Sequence, residues 1–427
     1  MGLPANRLEC GFAYARRNFG TMRNVPPGLQ YSAAALVLFL TLLGSHLATP
    51  LYSIWQAEFG LSTTAVTLIF ACYPIGVTVG LLFGGRLGDQ LGRKPLVFAG
   101  VLLTVVSSIV YLLATGMGYL VAARLINGVA IGLMSGPAVA AIVELQPSGD
   151  RAEASRIGAI ATLASPATGL LAVTLIVHFT TVPELVVTLP FLFQLCGLAV
   201  ALMLAFSFRE TILPHSRRSL RKTSFAPQGV WVPSQIRTAF IFASVTGALS
   251  WANTGLWLAL GPALAFDVMG TANKLLGGLT VVAFLTTAGV VQLFTKGLGY
   301  RRAIMIGLLL IPPSLMLICA TMVWKSTTVL VVGAIMAGAG QGLCWMGCSE
   351  LVNRITPSEI RASVLSGLYI AGYLGAAIPI VFTGIATDYL GLFRALVILS
   401  AGFSLLAFYL LTRNRPFSQA EPSTVIP

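Results

Sequence analysis

Gly85-Arg86-Leu87-Gly88-Asp89-Gln90-Leu91-Gly92-Arg93-Lys94 separates two long apolar runs in a chain that carries few charges. Its glycines at 85, 88 and 92 suit a tight turn and close helix contact, since glycine reaches backbone conformations that other residues avoid. One acid, Asp89, precedes two bases, Arg93 and Lys94. The flanking apolar runs put these charges at a membrane edge, and the rest of the chain repeats this alternation.

Of 427 residues, 56% are hydrophobic and 9% charged, with mean hydropathy +0.88. Soluble domains carry roughly 25% charged residues, so the composition fits a protein that crosses the bilayer many times. The net charge of +13 does not imply a nucleic-acid partner. The basic residues fall in short loops between apolar runs rather than on one soluble face. Most of the cysteines lie inside apolar runs, where a thiol packs as a small apolar group. Cys344 and Cys348 are i, i+4 with no further ligand nearby, so packing is favoured over a metal. There is no Walker-type phosphate loop, nucleophile motif or metal-ligand set, so no enzyme, cofactor or ATP-driven activity is expected.

A span needs about 20 apolar residues. Twelve runs meet this: 31–55, 63–85, 95–115, 118–144, 156–178, 184–207, 237–262, 273–294, 303–323, 327–349, 361–385 and 391–412. With the N-terminus inside, only Lys274, Lys325 and Arg394 fall outside, and Arg124 lies within the fourth run. Every other Lys and Arg is then cytoplasmic, as the positive-inside rule requires, and both termini are inside. The division is a cytoplasmic tail (1–30, with no cleaved signal peptide), six spans (31–207), a basic linker (208–236), six spans (237–412) and a cytoplasmic tail (413–427). An all-α membrane protein of two six-helix bundles follows, acting as a monomer in a lipid bilayer. The short loops suit a bacterial inner membrane.

The halves resemble each other. Pro147-Ser148-x-x-Arg151-Ala152 recurs as Pro357-Ser358-x-x-Arg361-Ala362, and Gly128-x-x-x-Gly132-Leu133 as Gly338-x-x-x-Gly342-Leu343. Leu91-Gly92 with Lys94 and Gly100 recurs as Leu298-Gly299 with Arg301 and Gly307. Repeated membrane halves are the mark of carriers in which one bundle rocks against the other around a central site.

The 85–94 segment resembles the loop between the second and third spans of the major facilitator superfamily of transporters. The resemblance covers about residues 31 to 412. It implies a twelve-span carrier whose Gly85, Asp89, Gly92, Arg93 and Lys94 form a conformational latch. In that family the aspartate faces the N-terminus of the eleventh helix, whose partial positive charge attracts a carboxylate. Glu144, at the inner end of the fourth span, is the second partner expected for Arg93. Leu120-x-x-x-Arg124-x-x-Asn127-Gly128 resembles the family's fourth-helix motif, in which the arginine is linked to proton coupling. A buried guanidinium is costly and faces a cavity or a partner; the alternative is snorkelling to the nearby outer interface.

No Asp or Glu lies at the centre of a span. His46, beside Thr49-Pro50-Leu51-Tyr52 where proline should loosen the helix, is therefore a candidate proton site, with simple packing as the alternative. The fifth span departs from the Gly-Pro motif of drug/proton antiporters: Ala161-x-x-x-Ser165-Pro166-x-x-Gly169-Leu170 keeps the proline and small residues but loses two glycines and ends in Leu. Export coupled to proton entry is expected, with uptake by symport or a non-transporting receptor as alternatives. For the solute, Tyr52, Tyr73, Asn127, Trp251, Asn253, Gln341, Trp345, Tyr369 and Tyr373 offer rings and amides that suit a small, flat or amphipathic organic molecule.

Overall fold

The computed structural model describes residues 25–213, 231–269, 274–295, 297–357 and 360–414, with single residues between 214 and 230. The arginines of the N-terminal tail, much of the linker, Ser358 and residues 415–427 lie outside the described residues. The described chain is helix and turn throughout. Within a bilayer each backbone N–H and C=O must find its partner inside the protein, and a helix does this locally.

Among the described residues twelve helical segments result. They are α1 (Pro27–Glu58), α2 (Thr63–Leu91), α3 (Arg93–Leu112), α4 (Met117–Leu145), α5 (Arg151–Phe179) and α6 (Pro183–Ser207), then α7 (Ser234–Met269), α8 (Lys274–Phe294), α9 (Tyr300–Trp324), α10 (Thr327–Ile355), α11 (Arg361–Leu390) and α12 (Leu392–Arg413). Eleven are long and apolar enough to cross a membrane. The other, α7, is 36 residues long, and Ser250, Trp251, Asn253, Thr254 and Trp257 dilute the apolar character of its middle. α1 is broken as its proline predicts: it tightens into 3-10 turns at Gly44–His46 and Thr49–Leu51 before resuming at Tyr52. Pro50 lacks the N–H that a continuous helix needs there.

The opening motif folds differently from the loop its glycines suggest. α2 runs on through Leu91, with Gly85 and Gly88 helical, and Gly92 alone makes the turn at φ +113. Its counterpart Gly299 does the same before α9 at φ +79.

The two halves pack alike. α1 lies on α5 and α6, α2 on α4, and α3 on α4 and α6; α7 lies on α11 and α12, α8 on α10, and α9 on α10 and α12. The repeated glycines explain the match. A Cβ at Gly128 or Gly132 would collide with the α2 carbonyls of Tyr73 or Val77, and one at Gly338 or Gly342 with the α8 carbonyls of Phe284 or Ala288. Small residues let backbones approach this closely, which is how membrane helices gain packing energy.

The bundles meet along two seams, α2 with α11 and α5 with α8. The face bearing the Arg- and Lys-rich turns, such as α2–α3 and α8–α9, is called the basic face; the opposite one is the far face. The seams are shut at the far face. Asp388 of α11 accepts hydrogen bonds from the backbone N–H of Thr63 (3.0 Å) and Thr64 (2.9 Å), at the N-terminus of α2. One turn deeper, a Cβ on Gly384 would collide with Thr67, and across the other seam a Cβ on Gly278 would collide with Thr174. Leu47, Leu51, Leu170 and Val173 join Leu256, Leu260 and Val281 in one apolar cluster that bridges the bundles. Toward the basic face the first bundle keeps a separate core, with Val37, Val97, Met134 and Leu198 at its centre.

Candidate functional site

Between the bundles lies a cavity of about 420 Å³. Ser155, four residues into α5, and Gln292, two residues from the end of α8, line it, so it reaches the basic face. One wall is aromatic. Trp251 of α7 stands 4.6 Å from Tyr373 and 5.2 Å from Trp345, centroid to centroid, and Trp345 stands 5.0 Å from Tyr369. Gly372 makes room for this cluster: a Cβ there would lie 3.2 Å from both Trp251 and Trp345. The opposite wall carries His46, Tyr73, Phe70 and Pro74. Among the described lining residues there is no Asp, Glu, Lys or Arg.

Two buried polar atoms of the described lining residues have no partner within the protein, His46 Nδ1 and Trp251 Nε1. Buried polar groups are nearly always paired, and these two belong to residues of the cavity wall.

Arg124 sits one layer behind this wall. It is 2% exposed, which rules out snorkelling. Its Nε donates to Tyr52 Oη at 2.5 Å and its Nη1 to the Ser45 carbonyl at 2.9 Å. The broken segment of α1 supplies that carbonyl. The guanidinium also lies 5.1 Å from the Tyr52 ring centroid and 5.7 Å from that of Tyr73. Hydrogen bonds to a charged group contribute about 1.5–3 kcal/mol each, and desolvated cation–π contacts about 2 kcal/mol. Together they offset much of the burial cost without a carboxylate; among the described residues none pairs with Arg124. Its Nη2 is left unpaired. Tyr73 in turn meets the His46 ring at 5.9 Å, edge to face. Arg124, Tyr73 and His46 thus connect a buried charge to the cavity.

The charged residues of the opening motif are held within the first bundle. Asp89 pairs with Arg93 at 2.6 Å and remains 67% exposed; Arg93 also reaches Glu144 at 3.6 Å. Among the described residues, no hydrogen bond or ion pair joins Asp89 to α11. A residue not singled out from sequence, Glu210, ties this corner together. It accepts from the backbone N–H of Arg93 (2.9 Å) and Lys94 (3.1 Å), the first turn of α3. Lys94 Nζ donates to the carbonyls of Phe206 and Phe208, and the Thr211 hydroxyl bonds Glu144. Glu210 lies in the linker, where an acid among many bases gave no spacing signal.

Of the residues expected to line a solute site, Tyr73, Trp251, Gln341, Trp345, Tyr369 and Tyr373 line this cavity. Three do not. Tyr52 is committed to Arg124, Asn253 is fully buried and donates to the Ala337 carbonyl to tie α7 to α10, and Asn127 is buried in α4, off the stripe of Leu125, Gly128, Val129 and Gly132 that meets α2. Phe70, Phe284 and Gln292 line the cavity without having been picked out; Gln292, an amide within a span, was the one legible signal.

The sequence profile of the Major Facilitator Superfamily matches residues 34–295 and, overlapping, 240–425. The chain belongs to that superfamily. Quinolone resistance protein NorA of Staphylococcus aureus is 27% identical over 116 residues, 27% of this chain and 30% of its own. The uncharacterized MFS-type transporter Rv1250 of Mycobacterium tuberculosis is 31% identical over 145 residues, 34% of this chain and 24% of its own. The matches span less than a third of these relatives. Among solved structures, a bacterial homolog of the human lysosomal transporter Spinster, inward-facing and unoccupied, superposes with TM-score 0.74 at 15% identity, covering 93% of this chain and 99% of that one. The inward-open xylose transporter XylE of E. coli gives 0.71 at 16%, covering 92% and 97%. At such identities the likeness is one of fold. Membership of this superfamily makes the protein a transporter rather than an enzyme.

Proposed function

We propose that this superfamily member exports a small, flat or amphipathic organic solute, driven by proton entry, with its two bundles rocking about the central cavity. The observation that carries this reading is the aromatic cavity itself, closed at the far face and reaching the basic one. Its wall offers stacking surface but no described carboxylate, so it selects by shape and stacking rather than by attracting a cation. The excess of Lys and Arg supports placing the basic face in the cytoplasm of a bacterial inner membrane, with both termini inside. His46 takes the proton, and Arg124 behind it senses the change in charge. Residues 31–207 and 237–412 move as the two bodies, and Asp89, Arg93 and Glu144 close the cytoplasmic side when the far face opens. Sequence similarity to a quinolone resistance protein supports the export direction.

The test is flux in proteoliposomes across a panel of aromatic solutes, with the pH gradient imposed in either direction and then removed. Export predicts that solute moves against the proton gradient and stops without it. Movement with the protons instead makes the protein a symporter. Tight binding with no flux under any gradient would make it a receptor.

A further inference from the structure

The two halves treat the corner around their repeated Gly92 and Gly299 in opposite ways. In the first half the α3 N-terminus is neutralised from within: Glu210 accepts from the N–H groups of Arg93 and Lys94, and Glu144 faces Arg93. In the second half no described carboxylate takes either of these places. The 210-residue offset that carries Gly128 onto Gly338 carries Glu144 onto Arg354. Beyond α12, Asn414 packs against the α9 start; its Nδ2 donates to the Arg301 carbonyl at 2.9 Å, and Arg301 Nε donates to the Asn414 carbonyl at 3.3 Å. The result is a hollow of about 710 Å³ lined by Arg301, Arg302 and Arg354. Among the described residues no carboxylate pairs with any of the three. Arg354 is held in place by the Tyr300 ring, 5.8 Å from its centroid.

The same hollow has an apolar side. Met305, Leu309 and Leu411 line it, and Leu309 lies eight residues into α9 from Arg301, about 12 Å along the helix at 1.5 Å per residue. Charge at the membrane edge with an apolar flank leading into the bilayer matches a phospholipid, headgroup and chain together. Clustered Lys and Arg at the inner edge of a membrane attract anionic lipid. We infer that the α9–α10–α12 corner is a binding site for the phosphate group of an anionic membrane lipid, which fills the role that Glu144 and Glu210 play in the first half.

Native mass spectrometry of the purified full-length protein tests this, with phosphatidylglycerol or phosphatidylcholine added at equal concentration and inorganic phosphate as competitor. Phosphatidylglycerol should be retained about tenfold better than phosphatidylcholine, and inorganic phosphate should not displace it. The Arg301→Gln, Arg302→Gln, Arg354→Gln triple variant should lose that preference, while Arg394→Gln on the far face should keep it. Arg354→Glu alone, which restores the first half's acid, should also lose it and covers the case in which the triple variant does not fold. Equal retention of the two lipids, or an unchanged preference in Arg354→Glu, overturns the inference. Displacement by inorganic phosphate would make this a free-anion site and overturn its lipid assignment.

Discussion

The α2–α11 seam has a carboxylate at each end, and the two are used differently. At the far end Asp388 leaves its own helix to cap α2, bonding the N–H groups of Thr63 and Thr64, while Ser62 takes the N–H of Ala65. At the basic end Asp89 turns back to Arg93 and stays in water. A helix N-terminus holds roughly half a positive charge and several unpaired N–H groups. We propose that an acid on the neighbouring bundle acts there as a reversible clasp, strong when docked and inexpensive to release into water. One helix pair with an acid at each end can hold only one end docked at a time if the bundles move as rigid bodies.

The largest test concerns the packing beneath the far clasp. Gly384→Val would force side-chain atoms into Thr67, and a rigid seam opens rather than compresses. We expect transport to fall more than about tenfold (1.4 kcal/mol), with far-face cysteine labelling raised in membranes; unchanged labelling would show that the far end does not need this contact. Next is Arg124→Ala, which removes the buried charge. Transport or its proton dependence should be lost with the protein still inserted, and an unaltered pH dependence would remove Arg124 from coupling.

Two smaller substitutions address the clasps directly and should act with opposite sign. Asp388→Asn weakens the far clasp by about 1 kcal/mol, the usual worth of a charged cap. The population should shift about fivefold toward far-face labelling. Asp89→Asn should slow transport and, if it latches the basic end, shift labelling the other way; the double variant should restore the balance. Wild-type flux with Asp89→Asn would break the latch idea and leave the far clasp standing. The smallest effect expected is a displaced pH profile for His46→Gln, measured as flux against pH; an unchanged profile returns His46 to a packing role.

Much of the site was visible before folding, and the exceptions share a cause. Trp251, Trp345, Tyr369 and Tyr373 were legible because a ring among aliphatic residues in a span stands out. Tyr52 and Asn253 looked the same in sequence, yet each is spent on a neighbouring helix. Asp388 carries no signal in the sequence, since nothing local to α11 reports that the N-terminus of α2 lies beside it. Glu210 was hidden in a basic linker for the same reason.

Composition and spacing were enough to settle what this protein is made of. Apolar runs of bilayer length, glycines at matching offsets and a one-sided distribution of Lys and Arg specify a duplicated helical carrier, because a bilayer admits few other solutions for so apolar a chain. Which acid meets which helix end, and which mouth is shut, depended on contacts between residues hundreds of positions apart. Those are decided by how two bundles lean on each other, a balance of small energies that no single stretch of the chain contains.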